Sequence, residues 1–154
     1  MYQPAHYPSP INFPERRSGK LSLKHHVITD PDITVVGMRQ ALLRGQRPAK
    51  AMLAAPLTIH ELHDKDHGLW MTDLPEELNQ IHEALYTLRP HGDILIGGLG
   101  LGLLPRILLQ KDIAHTTTNI TVVEKNKDII KLCGQYAPFK IICQDILRYL
   151  HTSS

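Results

Sequence analysis

Between Gly92 and Arg106 the chain reads GDILIGGLGLGLLPR, a short apolar run that meets a cluster of glycines and then turns helix-like. An apolar run of this length fits a strand buried on both faces, as in a parallel sheet. Gly98, Gly100 and Gly102 alternate with leucines, so the backbone can turn sharply there and keep Cβ atoms away from whatever lies against the loop. Pro105 is tolerable in the helix that follows because it falls in the first turn. The next segments continue the alternation. NITVVEKN reads as a second strand, NKDIIKLCGQY as a second helix with Asn126 as its cap, FKIICQDI as a third strand, and LRYLHTSS as the start of the next element. Strand, helix, strand, helix, strand predicts an α/β parallel sheet with crossover helices.

The segment before it has a different grain. HHVITD and ITVVGM are β-branched runs closed by turn residues, and GQRP and HDKDHG are turn signals. PLTIHEL and LWMTD on either side of HDKDHG predict a hairpin, with Trp70 and Met71 in its core. DLPEELNQIHEALYTL predicts a helix capped by Asp73, with Leu74, Leu78, Ile81, Leu85 and Leu88 on its inward face, ended by Pro90 and Gly92. The organisation expected is therefore an extended, proline-rich arm over residues 1–20, a small antiparallel β region and helix over 21–90, and the partial parallel-sheet domain over 91–154. The arm is expected to order only if something docks it.

The ends of the three parallel strands carry the candidate chemistry. The first runs into the glycine turn. The second ends in Glu124, where a carboxylate can accept two hydrogen bonds from ribose hydroxyls. The third ends at Asp145, where an acid can meet an adenine amino group. Open α/β sheets bind ligands at this mouth. Glycine turns also occur for packing alone, and strand-end acids are often merely solvated; the conjunction of all three is what points to an adenosyl ligand.

The stretch ILIGGLGLGLLPRILL…ITVVEKNKDIIKLCGQY…IICQDILRYL resembles the class I S-adenosylmethionine-dependent methyltransferase fold, a Rossmann-like sheet, and within it the spermidine synthase-like branch. The resemblance covers about residues 93 to 151. It implies that Gly98, Gly100 and Gly102 form the methionine and ribose loop, that Glu124 binds the ribose hydroxyls, and that Asp145 meets the adenine amine with Ile146 beside the ring. The cofactor implied is S-adenosylmethionine or its decarboxylated form, and the reaction methyl transfer or aminopropyl transfer to an acceptor the sequence does not name. Two positions depart from the pattern. Ile96 stands where many methyltransferases carry an acid, and the glycine turn lacks the acid usual in the spermidine synthase branch.

A sheet of this family continues with a fourth strand beside the first, and the loop after it carries the group that positions or deprotonates the acceptor. The chain stops after its third strand, so the expectation is a truncated domain: a fragment, an oligomer whose partner covers the first-strand edge, or a binder that transfers nothing. No catalytic residue is assigned. Asp73, Glu76, Glu77 and His82 precede the sheet and could face the pocket, or form a solvated helix start. His60, His63 and His67 with Asp64 and Asp66 could hold a divalent ion, but their spacing matches no metal site and the acids read naturally as a turn; no metal is expected.

Composition narrows the remaining classes. Seventeen Lys and Arg against fifteen Asp and Glu leave a formal charge of +2, with no basic stripe, so nucleic acid is not indicated. No apolar run is long enough to cross a membrane, and the first twenty residues have no apolar core of a secretion signal. Cys133 and Cys143 lie in apolar surroundings and read as reduced core thiols, which suits a cytoplasmic protein.

Overall fold

The computed structural model describes residues 7–28, 57–110 and 117–153. They form a mixed α/β architecture with two sheets. The first is antiparallel, in the order β1 (Arg16–Ser18), β2 (Leu21–Ile28), β3 (Leu57–Asp64), β4 (Gly68–Thr72). The second is parallel, in the order β5 (Gly92–Gly97), β6 (Thr117–Glu124), β7 (Lys140–Cys143). The helices are α1 (Pro75–Leu88), α2 (Leu103–Leu108), α3 (Lys127–Cys133) and α4 (Ile146–Thr152). The segments ITVVGM and GQRP lie outside the described residues.

The β3–β4 hairpin turns where HDKDHG predicts. The Asp64 carboxylate sits under the turn and accepts from the N–H groups of Asp66, at 2.7 Å, and His67, at 2.9 Å, a local device that lets an acidic, histidine-rich stretch reverse direction. The hairpin core is not the one expected. Leu62 pairs with Met71 but His63 pairs with Leu69, so Trp70 is the extra residue of a β-bulge. The bulge breaks the alternation of faces, and Leu69, Trp70 and Met71 are all exposed.

Asp73 does not cap α1. The cap position is Leu74, with Pro75 opening the helix and no side-chain cap bond. The buried face is also rotated from the one expected: Pro75, Leu78, His82 and Leu85 turn inward, and Leu88 is 75% exposed. Asn126 does cap α3, its Oδ1 accepting from the N–H groups of Asp128 and Ile129.

One apolar core joins the two sheets. Leu21, Leu23 and Leu62 from the antiparallel sheet share it with Leu78 and Leu85 of α1, Leu101, Ile107 and Leu108 around α2, Val122 of β6 and Leu132 of α3. Residues before β1 are docked into it through buried Ile11 and Phe13, so this part of the arm has a fixed place. Polar ties hold α3 against β1. Ser18 donates to Asp128 at 2.6 Å, and Arg16 donates to the Leu132 carbonyl at 3.2 Å and to Gln135 Oε1 at 2.6 Å. Arg106 of α2 reaches the same helix end, donating to the carbonyls of Cys133 and Gln135 while its guanidinium lies over the rings of Phe13 and Phe139. The two cations thus reach the carbonyls of Leu132 and Cys133 at the end of α3, which also suits the helix dipole.

The cysteines part company. Cys133 is fully buried and burial pushes its thiol up to about 12, whereas Cys143 is exposed and is not a core residue. Among the described residues no helix is long and apolar enough to cross a membrane.

Candidate functional site

Because β5, β6 and β7 are parallel, their carboxyl ends share one edge of the sheet. Gly98 follows β5, Glu124 closes β6, and Asp145 follows β7, so all the sequence-predicted site residues stand along this edge in sheet order. The turn after β5 needs its glycines. Gly98, Gly100 and Gly102 have φ of 92°, 53° and 74°, the left-handed region that other residues enter at a cost. The Gly98 N–H donates to the Val123 carbonyl at 2.8 Å, tying the turn to β6.

Glu124 does more than line the edge. Its side chain is buried, Oε2 accepting from the Leu99 N–H at 2.8 Å and Oε1 from the Asn126 N–H at 2.8 Å. One carboxylate therefore clips the glycine turn to the start of α3. Each oxygen has a second lone pair, so the clip leaves acceptor capacity for a hydroxyl. Asp145 is the N-cap of α4: Oδ1 accepts from the N–H groups of Leu147, at 2.9 Å, and Arg148, at 3.3 Å. Its Oδ2 makes no hydrogen bond among the described residues and is an available acceptor. Ile146 packs on the backbone of Gly97, where a Cβ would come within 3.2 Å of Ile146 Cγ1. The first of the doubled glycines, Gly97, thus makes room for Ile146. Above Gly98 the edge is open: a Cβ there would meet nothing within 4 Å.

Of the acids before the sheet, Asp73 and Glu77 are not solvated. Asp73 is buried. Its Oδ1 accepts from the His60 N–H at 2.6 Å, and its Oδ2 from His60 Nδ1–H at 2.8 Å and from the Ser9 hydroxyl at 2.5 Å. His60 Nε2 in turn accepts from the Phe13 N–H at 3.2 Å. These roles put the proton on Nδ1 and occupy Nε2, so His60 is an orienting group and not a free base. Burial pulls the Asp73 carboxyl up, but the hydrogen bonds from His60 and Ser9 outweigh it and hold the group below its usual range. Glu77 is half-buried against the Thr72 hydroxyl, and burial raises its carboxyl. His63 pairs with Glu61 and His67 with Asp64; among the described residues no three metal-binding side chains converge.

His82 is buried with its ring stacked on Tyr7 at 3.5 Å, and its Nε2 has no hydrogen-bond partner among the described residues. Burial lowers its pKa from the ordinary value of about 6.5. Below that value the unfolded ring takes a proton that the folded ring refuses, so this stability contribution is complete above about pH 6.5 and declines as pH falls toward the folded value. His82→Phe keeps the stack and removes the unsatisfied nitrogen. It is expected to raise stability by about 1 kcal/mol at pH 8 and by more at pH 5.5. Urea denaturation at the two pH values checks this; an equal gain at both would contradict it.

A cavity of about 630 Å³ lies at the opposite, amino-terminal end of the parallel sheet, lined by Asp93, Asn119, Thr121, Phe139 and Lys140 among others. It shares no residue with the glycine-turn edge. Comparison of the chain with family models, curated proteins and solved structures gave no match.

Proposed function

We propose that the carboxyl edge of the parallel sheet is an adenosyl-ligand site of the Rossmann-like, S-adenosylmethionine-binding kind, and that the protein is a methyltransferase-like enzyme. The observation that carries this reading is the open space over Gly98, flanked in sheet order by Glu124 and by Asp145, whose Oδ2 has no partner among the described residues. The adenine lies at the β7 end, with its amine on Asp145 and its ring beside Ile146. The ribose hydroxyls take the remaining lone pairs of Glu124. The sulfur end lies toward β5 and the glycine turn.

Transfer from a sulfonium asks little of the protein, because the carbon is already electrophilic; alignment of nucleophile, carbon and sulfur does most of the work. An amine acceptor must also lose a proton. Aminopropyl transfer from decarboxylated S-adenosylmethionine is the alternative, favoured by the apolar glycine turn, in which Leu99 and Leu101 are both buried. A partner chain along the outer strand β5, where Leu95 is 42% exposed, completes the proposal.

Asp145→Asn is the discriminating variant. Asn caps a helix as well as Asp does, so α4 is kept while an amide N–H₂ replaces the acceptor facing the adenine amine. Titration calorimetry with S-adenosylmethionine, its decarboxylated form and S-adenosylhomocysteine is expected to show saturable binding, weakened about tenfold or more in Asp145→Asn with unchanged melting. A folded wild-type chain that binds none of the three would end the proposal.

A further inference from the structure

The glycine turn is open at one end and covered at the other. Where a Cβ at Gly98 would meet nothing within 4 Å, a Cβ at Gly100 would lie 2.5 Å from Met71 Sδ and 2.8 Å from Met71 Cε. The thioether of β4 therefore rests on the backbone of Gly100. It faces that way because Met71 pairs across the hairpin with Leu62, which is fully buried on the core side of the sheet. Met71 is nevertheless 36% exposed, and it is an unbranched side chain that can swing away without disturbing the core.

Sheet order says which part of a ligand this side chain faces. A nucleoside with adenine at Asp145 and ribose at Glu124 runs from β7 across β6, so whatever its 5′ carbon carries projects past β5 toward Gly98 and Gly100. We propose that Met71 is the specificity-determining residue of the site, limiting the length of the 5′ substituent. Adenosine and nucleosides with a short 5′ group fit with Met71 in place, whereas S-adenosylmethionine and its decarboxylated form enter only by displacing the thioether from Gly100. This inference rests on the adenosyl reading above and adds to it a side chain from outside the parallel sheet.

The test titrates the full chain with adenosine, 5′-methylthioadenosine and S-adenosylmethionine, in wild type, Met71→Ala and Met71→Leu, with melting curves to confirm that each is folded. Met71→Ala is expected to bind S-adenosylmethionine about tenfold more tightly than wild type, to leave adenosine within about twofold, and to be mimicked by neither ligand in Met71→Leu, which retains the bulk. If wild type binds adenosine but Met71→Ala leaves the S-adenosylmethionine affinity unchanged, or shifts both ligands alike, Met71 does not select by length and the inference falls while the adenosyl site stands. If folded wild type binds none of the three, both fall together.

Discussion

Glu124→Ala is expected to cost about 3 kcal/mol of stability, before any ligand is considered. The carboxylate accepts from the Leu99 N–H inside the glycine turn and from the Asn126 N–H at the start of α3. Leu99 is 4% exposed, so its orphaned N–H has little access to water. Removing the side chain leaves both donors without the charge-assisted bonds that fix the turn. Glu124→Gln keeps one acceptor oxygen but sets an N–H₂ group against the other donor, and about half the loss is expected. Urea denaturation at neutral pH reads both variants. A Glu124→Ala chain within about 0.5 kcal/mol of wild type would show that the clip is not what holds the turn. The consequence for binding studies is direct. Loss of ligand in Glu124→Ala reports a loosened turn as readily as a missing ribose acceptor, whereas Asp145→Asn alters an acceptor and spares its cap.

The parts of this site that were legible in the sequence are those fixed by position along an element. A residue at or just past the end of a parallel strand must stand at the carboxyl edge, so Glu124 and Asp145 could be placed from their strands alone, and Asn126 capped its helix as short-range rules require. The glycines were legible because three positive φ values in one turn leave few other residue types. What stayed hidden depends on neighbours distant in the chain. Nothing near Glu124 announces that its carboxylate holds the Leu99 N–H. Nothing near Met71 announces the bulge at Trp70 or the contact with Gly100. His82 took an inward position on α1 that periodicity assigns to leucines, because Tyr7 from the N-terminal arm supplies a ring to stack on. Asp73 looked like a cap, since acids before a proline usually are; its real partners are His60 on β3 and Ser9 in the arm.

That last substitution of partners leads to the second large effect. Asp73→Ala is expected to cost about 4 kcal/mol, because three donors lose their acceptor at once in a buried place. They are the His60 N–H, His60 Nδ1–H and the Ser9 hydroxyl. Asp73→Asn is not a rescue. Its single carbonyl oxygen can serve one part of the cluster, while its N–H₂ group would confront another donor, and His60 cannot switch tautomer without turning a proton toward the Phe13 N–H. Part of the loss should appear as undocking of the arm, since Ser9 and Phe13 are both tied to this cluster. Tryptic cleavage after Arg16 or Arg17 is therefore expected to accelerate in Asp73→Ala under conditions where wild type resists. The pH dependence carries a matching sign. The folded carboxyl is held below its unfolded pKa, so its contribution is complete above about pH 5 and is lost as pH falls through the folded value. The wild type should lose stability below about pH 4 more steeply than Asp73→Asn, whose side chain does not titrate. Parallel acid limbs in the two chains, or an arm equally protected in Asp73→Ala, would mean that the Ser9–Asp73–His60 cluster does not fasten the arm to the hairpin.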